Sequence, residues 1–265
     1  MVLFVNSQHR RGTSVSELAE QVVVVTGSGQ GIGRAVAIAM AAAGAAVAVT
    51  DVDEAAALRT AAELEQAGQR AIGVRCDVTS EADVIELASR TEAELGSIST
   101  WVNNAGIVKP AMLHKMAVAD FDAVLRVHVR GTFLGMREAA RRMIASETAG
   151  CIINVTSAAG LAGTIGQINY SAAKGAIIAM TKSGSRELAR HHIRVNAVAP
   201  VAATEMTETI RSDPRFAEQF LARIPLRRFA EPEEVTSAFR WLASPASSYV
   251  TGQVLCADGG LYMAS

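Results

Sequence analysis

The chain has 265 residues, half of them apolar, and a formal net charge of −1, with 25 Lys and Arg against 26 Asp and Glu. That balance leaves no basic footprint for nucleic acid and no attraction to an anionic membrane; it points to a small-molecule partner and to one domain with one large core. Cys76, Cys151 and Cys256 lack the number and spacing of a disulfide framework or a zinc site, so no metal is expected and a reducing cytoplasm fits.

Residues 1–18 read as a polar leader, free to be disordered, ahead of a domain over 19–265. The leader's four-residue apolar run is too short for a secretory core, and its arginines follow that run. Farther on, "AVAIAMAAAGAAVAV" is split by Gly44 and is too short for a bilayer, so no membrane span is expected.

Short β-branched runs then alternate with Ala- and Leu-rich stretches. The predicted strands are "VVVVT" (22–26), "AVAVTD" (46–51), "AIGVRCD" (71–77), "ISTWVNN" (98–104), "CIINVTS" (151–157), "IRVNAVA" (193–199) and "GQVLCAD" (252–258). Their continuous apolar character is what strands covered on both faces require, so the expected fold is α/β, a single doubly wound Rossmann-type domain. Its parallel sheet has seven strands flanked by helices, and no repeat or linker marks a second domain.

The first strand runs straight into "TGSGQGIGRAVAIAMAAAG", with Gly27, Gly31 and Gly33 at a turn that opens a helix. Such a turn lets the backbone approach a pyrophosphate, and the N–H groups of the helix N-terminus meet its charge. Eighteen residues after Gly33 the second strand ends at Asp51, where a carboxylate accepts hydrogen bonds from the adenosine ribose of NAD. The same carboxylate repels a 2′-phosphate, and neutral Gln30 offers no compensating cation, so NAD is expected over NADP. The alternative is that Asp51, or Asp53, merely caps the helix starting near Glu54.

In "INYSAAKGAIIAMTKSGSRELAR" the helical period puts Tyr170 and Lys174 one turn apart on one face. A free tyrosine titrates near pH ~10, and bringing it to neutrality takes about 4 kcal/mol. A cation about 4 Å away at an effective dielectric of ~20 supplies roughly that much. The pair is therefore expected to make Tyr170 a proton donor and acceptor; alone, it would read as a lysine snorkelling over a ring.

These motifs together resemble the short-chain dehydrogenase/reductase family, and in broad outline its 3-oxoacyl reductases. The residues that carry the resemblance are Tyr170 and Lys174, Ser157 thirteen residues earlier, the turn Thr26, Gly27, Gly31 and Gly33, "CDV" (76–78), "NNAG" (103–106) and "YVTGQVLCADGG" (249–260). The resemblance implies hydride transfer between a nicotinamide and a carbonyl or secondary alcohol. Tyr170 would move the proton, Ser157 would bond the reacting oxygen, and Lys174 would hold the nicotinamide ribose and depress the tyrosine. It also implies that Gln30, Ile32, Asp77, Val78, Asn103, Ala105, Gly106, Pro200 and Thr204 line the cofactor cleft with the glycines.

Two positions depart from that pattern. In "RVHVRGTFLG", His128 stands where relatives carry an asparagine that completes a proton relay; an imidazole titrating near ~6.5 could pass protons there. Val201 follows Pro200 where relatives carry glycine, which puts the path of the loop bearing Thr204 in doubt.

The stretch 201–228, with Met206, Phe216, Phe220 and Leu221, has the composition of a movable lid. Met112, Leu161 and Ile165 are expected to border the same cleft and to favour an apolar carbonyl compound. Arg126, Arg130, Arg137 and Arg141 fall at offsets of 4, 11 and 15, a single helical stripe. That stripe is expected to be a solvated or subunit-facing surface; docking of an acyl carrier protein is the alternative. The resemblance further implies a homotetramer. The expected function is an NAD(H)-dependent oxidoreductase for a secondary alcohol or ketone. The alternatives are a 3-oxoacyl-thioester reductase and a catalytically silent dinucleotide-binding sensor.

Overall fold

The computed structural model describes residues 16–204 and 208–263. Strands β1 (Val22–Thr26), β2 (Ala46–Asp51), β3 (Ala71–Arg75), β4 (Thr100–Asn103), β5 (Gly150–Val155), β6 (Ile193–Pro200) and β7 (Val254–Ala257) form one sheet. All neighbours pair in parallel, in the order β3-β2-β1-β4-β5-β6-β7. The helices are α1 (Gly31–Ala42), α2 (Glu54–Gln66), α3 (Glu81–Leu95), α4 (Val118–Leu125), α5 (Gly131–Ala145), α6 (Ala158–Ala162), α7 (Ile168–Leu188), α8 (Glu208–Arg211), α9 (Pro214–Ala222) and α10 (Pro232–Ala243).

Alternate strand residues feed two cores, as the pleat demands. On one face Val23, Val25, Val47 and Val49 pack with Val36 and Met40 of α1 and with Phe239 and Leu242 of α10. On the other, Val22, Val24, Ala46 and Ala48 pack with Val84 and Leu87 of α3 and with Leu134 and Met143 of α5. Helices α2, α3 and α10 start where polar side chains satisfy their first N–H groups. Asp53 caps α2, Ser80 caps α3, and Glu231 with Glu234 forms a capping box on α10.

The predicted bounds of β1 and β2 hold and β6 runs one residue farther, whereas the predictions for β3, β4, β5 and β7 run too long at their C-terminal ends. Residues 76–77, 104 and 156–157 leave the ladder and rim a crevice instead. That crevice opens between β1 and β4, where the connection leaving β1 runs to β2 on one side and the connection leaving β3 crosses back to β4 on the other, the topological switch point of an open α/β sheet.

The domain also begins earlier than the expected boundary at 19. Leu18 is fully buried in the first core, its N–H donates to Ala43 O (2.9 Å), Ser16 Oγ donates to the same carbonyl (2.5 Å), and Glu17 pairs with Arg240 (2.6 Å). Burying one leucine outweighs the polar character of its neighbours. The rest of the leader, 1–15, lies outside the described residues.

Candidate active site

The glycine turn between β1 and α1 is built from three different steric needs. Gly27 and Gly31 take φ of 62° and 57°, the left-handed region that side chains resist. Gly33 is fixed by space: a Cβ there would stand 2.1 Å from Gly27 O and 2.4 Å from the Asn104 amide nitrogen. Around Gly31 the space is open, with Thr204 Cγ2 as the nearest atom at 3.9 Å. Gln30, the N-cap of α1, makes no side-chain bond to the helix, and the first turn holds no acid. Its first N–H groups therefore remain available at the cleft for an anion.

Asp51 is held in place from both oxygens. Oδ2 accepts from the Gly29 N–H (3.1 Å) and Oδ1 from the Asp53 N–H (3.2 Å). Asp53, not Asp51, caps α2 by accepting from the Ala56 N–H (3.2 Å). The capping alternative for Asp51 is thereby removed.

Ser157 lies just past β5 as the N-cap of α6, accepting from the Ala159 N–H (3.2 Å). Tyr170 and Lys174 lie in the first turns of α7, and Asn169 anchors that end by donating to Lys109 O (2.9 Å) while accepting from the Tyr170 N–H (2.8 Å). Lys174 is buried; its ammonium donates to Val155 O (2.7 Å) and sits 5.4 Å from the Tyr170 ring centroid.

Burial pushes the Tyr170 phenol up to about 12, opposed by a hydrogen bond with Ser157. Burial also pushes Lys174 down to about 7. The expectation that the ammonium drags the phenol towards neutrality is thus not met. Burial dominates both groups, because it penalises the charged form of each.

One cleft of 1180 Å³ gathers nearly all of the expected residues: Gly27, Gln30, Gly31, Ile32, Gly33, Asp51, Asp77, Val78, Ala105, Gly106, His128, Ser157, Tyr170, Lys174, Pro200 and Thr204. Asn103 is the exception. It is buried in the sheet, accepting from Trp101 Nε1 (2.9 Å) and donating to Asn154 Oδ1 (2.9 Å). Strand alternation sends the next residue, Asn104, to the cleft, where its amide donates to Thr26 O (3.0 Å) and Gly27 O (2.9 Å) and so clamps the glycine turn. Thr26 Oγ1 accepts from the Asn104 and Ala105 N–H groups (3.0 and 3.1 Å). Counting by two from the end of β4 would have separated Asn103 from Asn104.

Met112, Leu161 and Ile165 do not border this cleft; Met112 is half exposed and Ile165 almost wholly so. Ala162, Gly163, Thr164 and Gln167 take that wall, because Gly163 and Gly166 turn the chain with positive φ between α6 and α7. Of the expected lid residues, Phe220 reaches the cleft and Leu221 does not, while Met206 and the Phe216 side chain lie outside the described residues.

A family model described as enoyl-(acyl carrier protein) reductase matches residues 27–262. The chain is 40% identical over 210 residues to a 3-oxoacyl-[acyl-carrier-protein] reductase of Synechocystis, covering 78% of this chain and 83% of that protein. It is 43% identical over 244 residues to the cis-4-hydroxycyclohexanecarboxylate dehydrogenase of Sinomonas cyclohexanicum, covering 91% and 96%. A crystal structure of a short-chain type dehydrogenase/reductase from Mycobacterium marinum superposes with a TM-score of 0.89 at 36% identity, covering 94% of this chain and 98% of that one. The chain is a short-chain dehydrogenase/reductase.

Within this short-chain dehydrogenase/reductase, His128 sits on a π-turn, Arg126–Arg130, inserted between α4 and α5. Its Nε2 lies 3.1 Å from the Ile107 N–H and 2.8 Å from Ile107 O, and its ring meets the Tyr170 ring edge-on at 5.3 Å. Gly106 must be glycine here, since a Cβ would fall 2.3 Å from the imidazole. Burial, with Lys174 nearby, pushes His128 down to about 3, so it does not titrate near 6.5 as expected. The ring braces the 105–107 wall rather than exchanging protons at neutral pH.

The π-turn also breaks the arginine stripe, since one extra residue in the turn rotates everything after it by about 100°. Arg126 lines the cleft, Arg130 donates to Thr79 O (3.2 Å), Arg137 pairs with Glu81 (2.6 Å), and Arg141 lies 3.8 Å from Glu138. Val201 keeps a φ outside the left-handed region and donates its N–H to Ala257 O (3.0 Å), so the loop after β6 extends the sheet edge without needing glycine.

Proposed function

We propose that the protein is an NAD(H)-dependent oxidoreductase that interconverts a secondary alcohol and a ketone, with Tyr170 as its acid and base. The observation that carries this reading is a single cleft that joins Ser157, Tyr170 and Lys174 to the glycine turn and to Asp51. A bound nicotinamide cofactor would supply the hydride chemistry, NAD⁺ as acceptor from a carbinol carbon and NADH as donor to a carbonyl carbon. The residues fit that group: open space at Gly31, uncapped N–H groups on α1, and a carboxylate fixed where the adenosine ribose would lie. Asp51 repels a 2′-phosphate, which favours NAD over NADP.

In reduction the Tyr170 hydroxyl gives its proton to the carbonyl oxygen, and Ser157 donates a hydrogen bond to that oxygen as charge develops on it. In oxidation the Tyr170 oxygen receives the hydroxyl proton of the alcohol. A phenol at about 12 is protonated at pH 7, so the donor form needed for reduction is the resting one. Lys174, at about 7, brings a positive charge beside the phenol when it is protonated, which eases the loss of the proton.

A second reading, 3-oxoacyl-thioester reduction, is favoured by the 40% identity to a 3-oxoacyl-[acyl-carrier-protein] reductase. Against docking of an acyl carrier protein, Arg130, Arg137 and Arg141 face partners within the chain. The reading includes a homotetramer, supported by Phe133 on α5, which is 49% exposed under the Arg137 guanidinium. It also includes a cytoplasmic location, supported by three free thiols. Among the described residues no helix is long and apolar enough to cross a membrane.

The test is a titration of NADH and NADPH into the protein and its Asp51→Ala variant, with turnover of ketones and acetoacetyl thioesters by both the wild type and Tyr170→Phe. NADH is expected to bind at least 10-fold more tightly than NADPH, with Asp51→Ala closing the gap. Equal affinities in the wild type would remove the NAD assignment. Tyr170→Phe is expected to lose at least 100-fold in kcat with NADH affinity kept. A wild type that binds NADH but turns over no carbonyl compound would instead be a sensor.

A further inference from the structure

The charges in the cleft are unevenly placed. Its described carboxylates, Asp51, Asp77 and Asp122, come from the end of β2, the segment after β3 and α4, with Arg126 just after α4. From Ser157 onward the described lining residues include Ala159, Ala162, Gln167, Val201, Phe220 and Tyr262, and apart from Lys174 the only charged side chain among the described lining there is Arg223. No carboxylate is among the described lining residues from Ser157 onward.

Arg223 is also held ready. Phe220 stacks on Phe229 with centroids 5.3 Å apart and planes 1° from parallel, and the Arg223 guanidinium lies 6.0 Å from the Phe220 centroid. Such a stack orients the guanidinium while leaving its charge and its N–H fork unspent. Two nearby arginines are neutralised, Arg211 by Glu208 and Arg228 by both oxygens of Glu234 (2.6 and 2.7 Å), while Arg227 donates to Ala222 O (3.0 Å) and does not line the cleft. Arg223 pairs with no carboxylate among the described residues, although it is exposed at the mouth of the cleft. A planar cation at the mouth of the cleft without a carboxylate partner is matched by one planar anion.

We propose that the substrate is a secondary alcohol or ketone bearing one carboxylate, separated from the reacting carbon by an apolar skeleton, and that Arg223 binds this carboxylate. The inference rests on the oxidoreductase reading above and adds its substrate class. It refines the expectation of an apolar carbonyl compound: the skeleton meets alanine, valine and phenylalanine, and one end is anionic. A bidentate contact of this kind in a half-open cleft is expected to change affinity roughly 10- to 100-fold.

The experiment compares 4-oxocyclohexanecarboxylate with its carboxamide, which has the same skeleton without the charge. Each is assayed for turnover with NADH and titrated by calorimetry into the NAD⁺-loaded protein, where the ketone cannot react. The acid is expected to show a 10- to 100-fold lower KM and Kd than the amide, with kcat within a few-fold. Arg223→Met is expected to erase that advantage, and Arg223→Lys to keep part of it. Equal binding of acid and amide, or an advantage that persists in Arg223→Met, would overturn the carboxylate site. So would a strong preference for acetoacetyl thioesters that is indifferent to Arg223. Arg223-dependent binding of the acid without turnover of any ketone would uphold the site and overturn the oxidoreductase reading.

Discussion

Burial and the neighbouring Lys174 hold His128 neutral by pushing it from 6.5 to about 3. The sign of the consequence follows from linkage: above pH 6.5 the ring is neutral folded or unfolded, while between 6.5 and about 3 only the unfolded chain takes up the proton. Stability should therefore fall with pH across that window by a few kcal/mol from this group. His128→Asn, which cannot titrate, should show a flatter decline of Tm between pH 6.5 and 4; a decline parallel to wild type would exclude the histidine as its source. The residue type and position were legible in the sequence, and the burial that silences the imidazole was not. The same holds for Tyr170 and Lys174, whose spacing gave their shared face while the desolvation of both emerges only from the packed cleft.

At the scale of elements, the catalytic geometry depends on how closely α6 lies on α7. Gly160 has no room for a side chain: a Cβ would stand 2.5 Å from the Lys174 carbonyl carbon and 2.8 Å from the Gly175 nitrogen. Gly160→Ala should push α6, and with it Ser157, away from Tyr170. The expected result is a loss of about 1–3 kcal/mol of stability and at least a 10-fold drop in kcat, with NADH affinity within two-fold of wild type. Unchanged kcat would mean that Ser157 is positioned by β5 alone. Strand existence was readable from continuous apolar runs, but strand ends were not, because the same composition continues into residues that rim the cleft, such as Cys76 and Thr156. The π-turn at Arg126–Arg130 was equally hidden, since the arginine spacing looks regular if every turn is α.

At the scale of the whole molecule, the segment ahead of β1 is part of the sheet's packing. Leu18 is fully buried in the core shared by α1, α10 and the central strands, and Arg194 of β6 donates to Leu242 O (2.7 Å) on the same side. Leu18→Ala should cost about 2–5 kcal/mol, read as a lower midpoint in denaturant, with the ratio of NADH to NADPH affinity untouched. A loss under ~1 kcal/mol would mean that the leader closes no core.

The sequence by itself determined the doubly wound sheet, the glycine turn, the acid at the end of β2 and the serine, tyrosine and lysine, because each depends on local spacing and on strands buried along their whole length. The tertiary structure decided which asparagine faces the cleft, that Asp53 rather than Asp51 caps α2, and where the arginines find partners. It alone brings Arg223 to the lining of the cleft with no carboxylate partner among the described residues. These depend on distances between segments far apart in the chain and on the water each group loses there, neither of which a one-dimensional pattern contains.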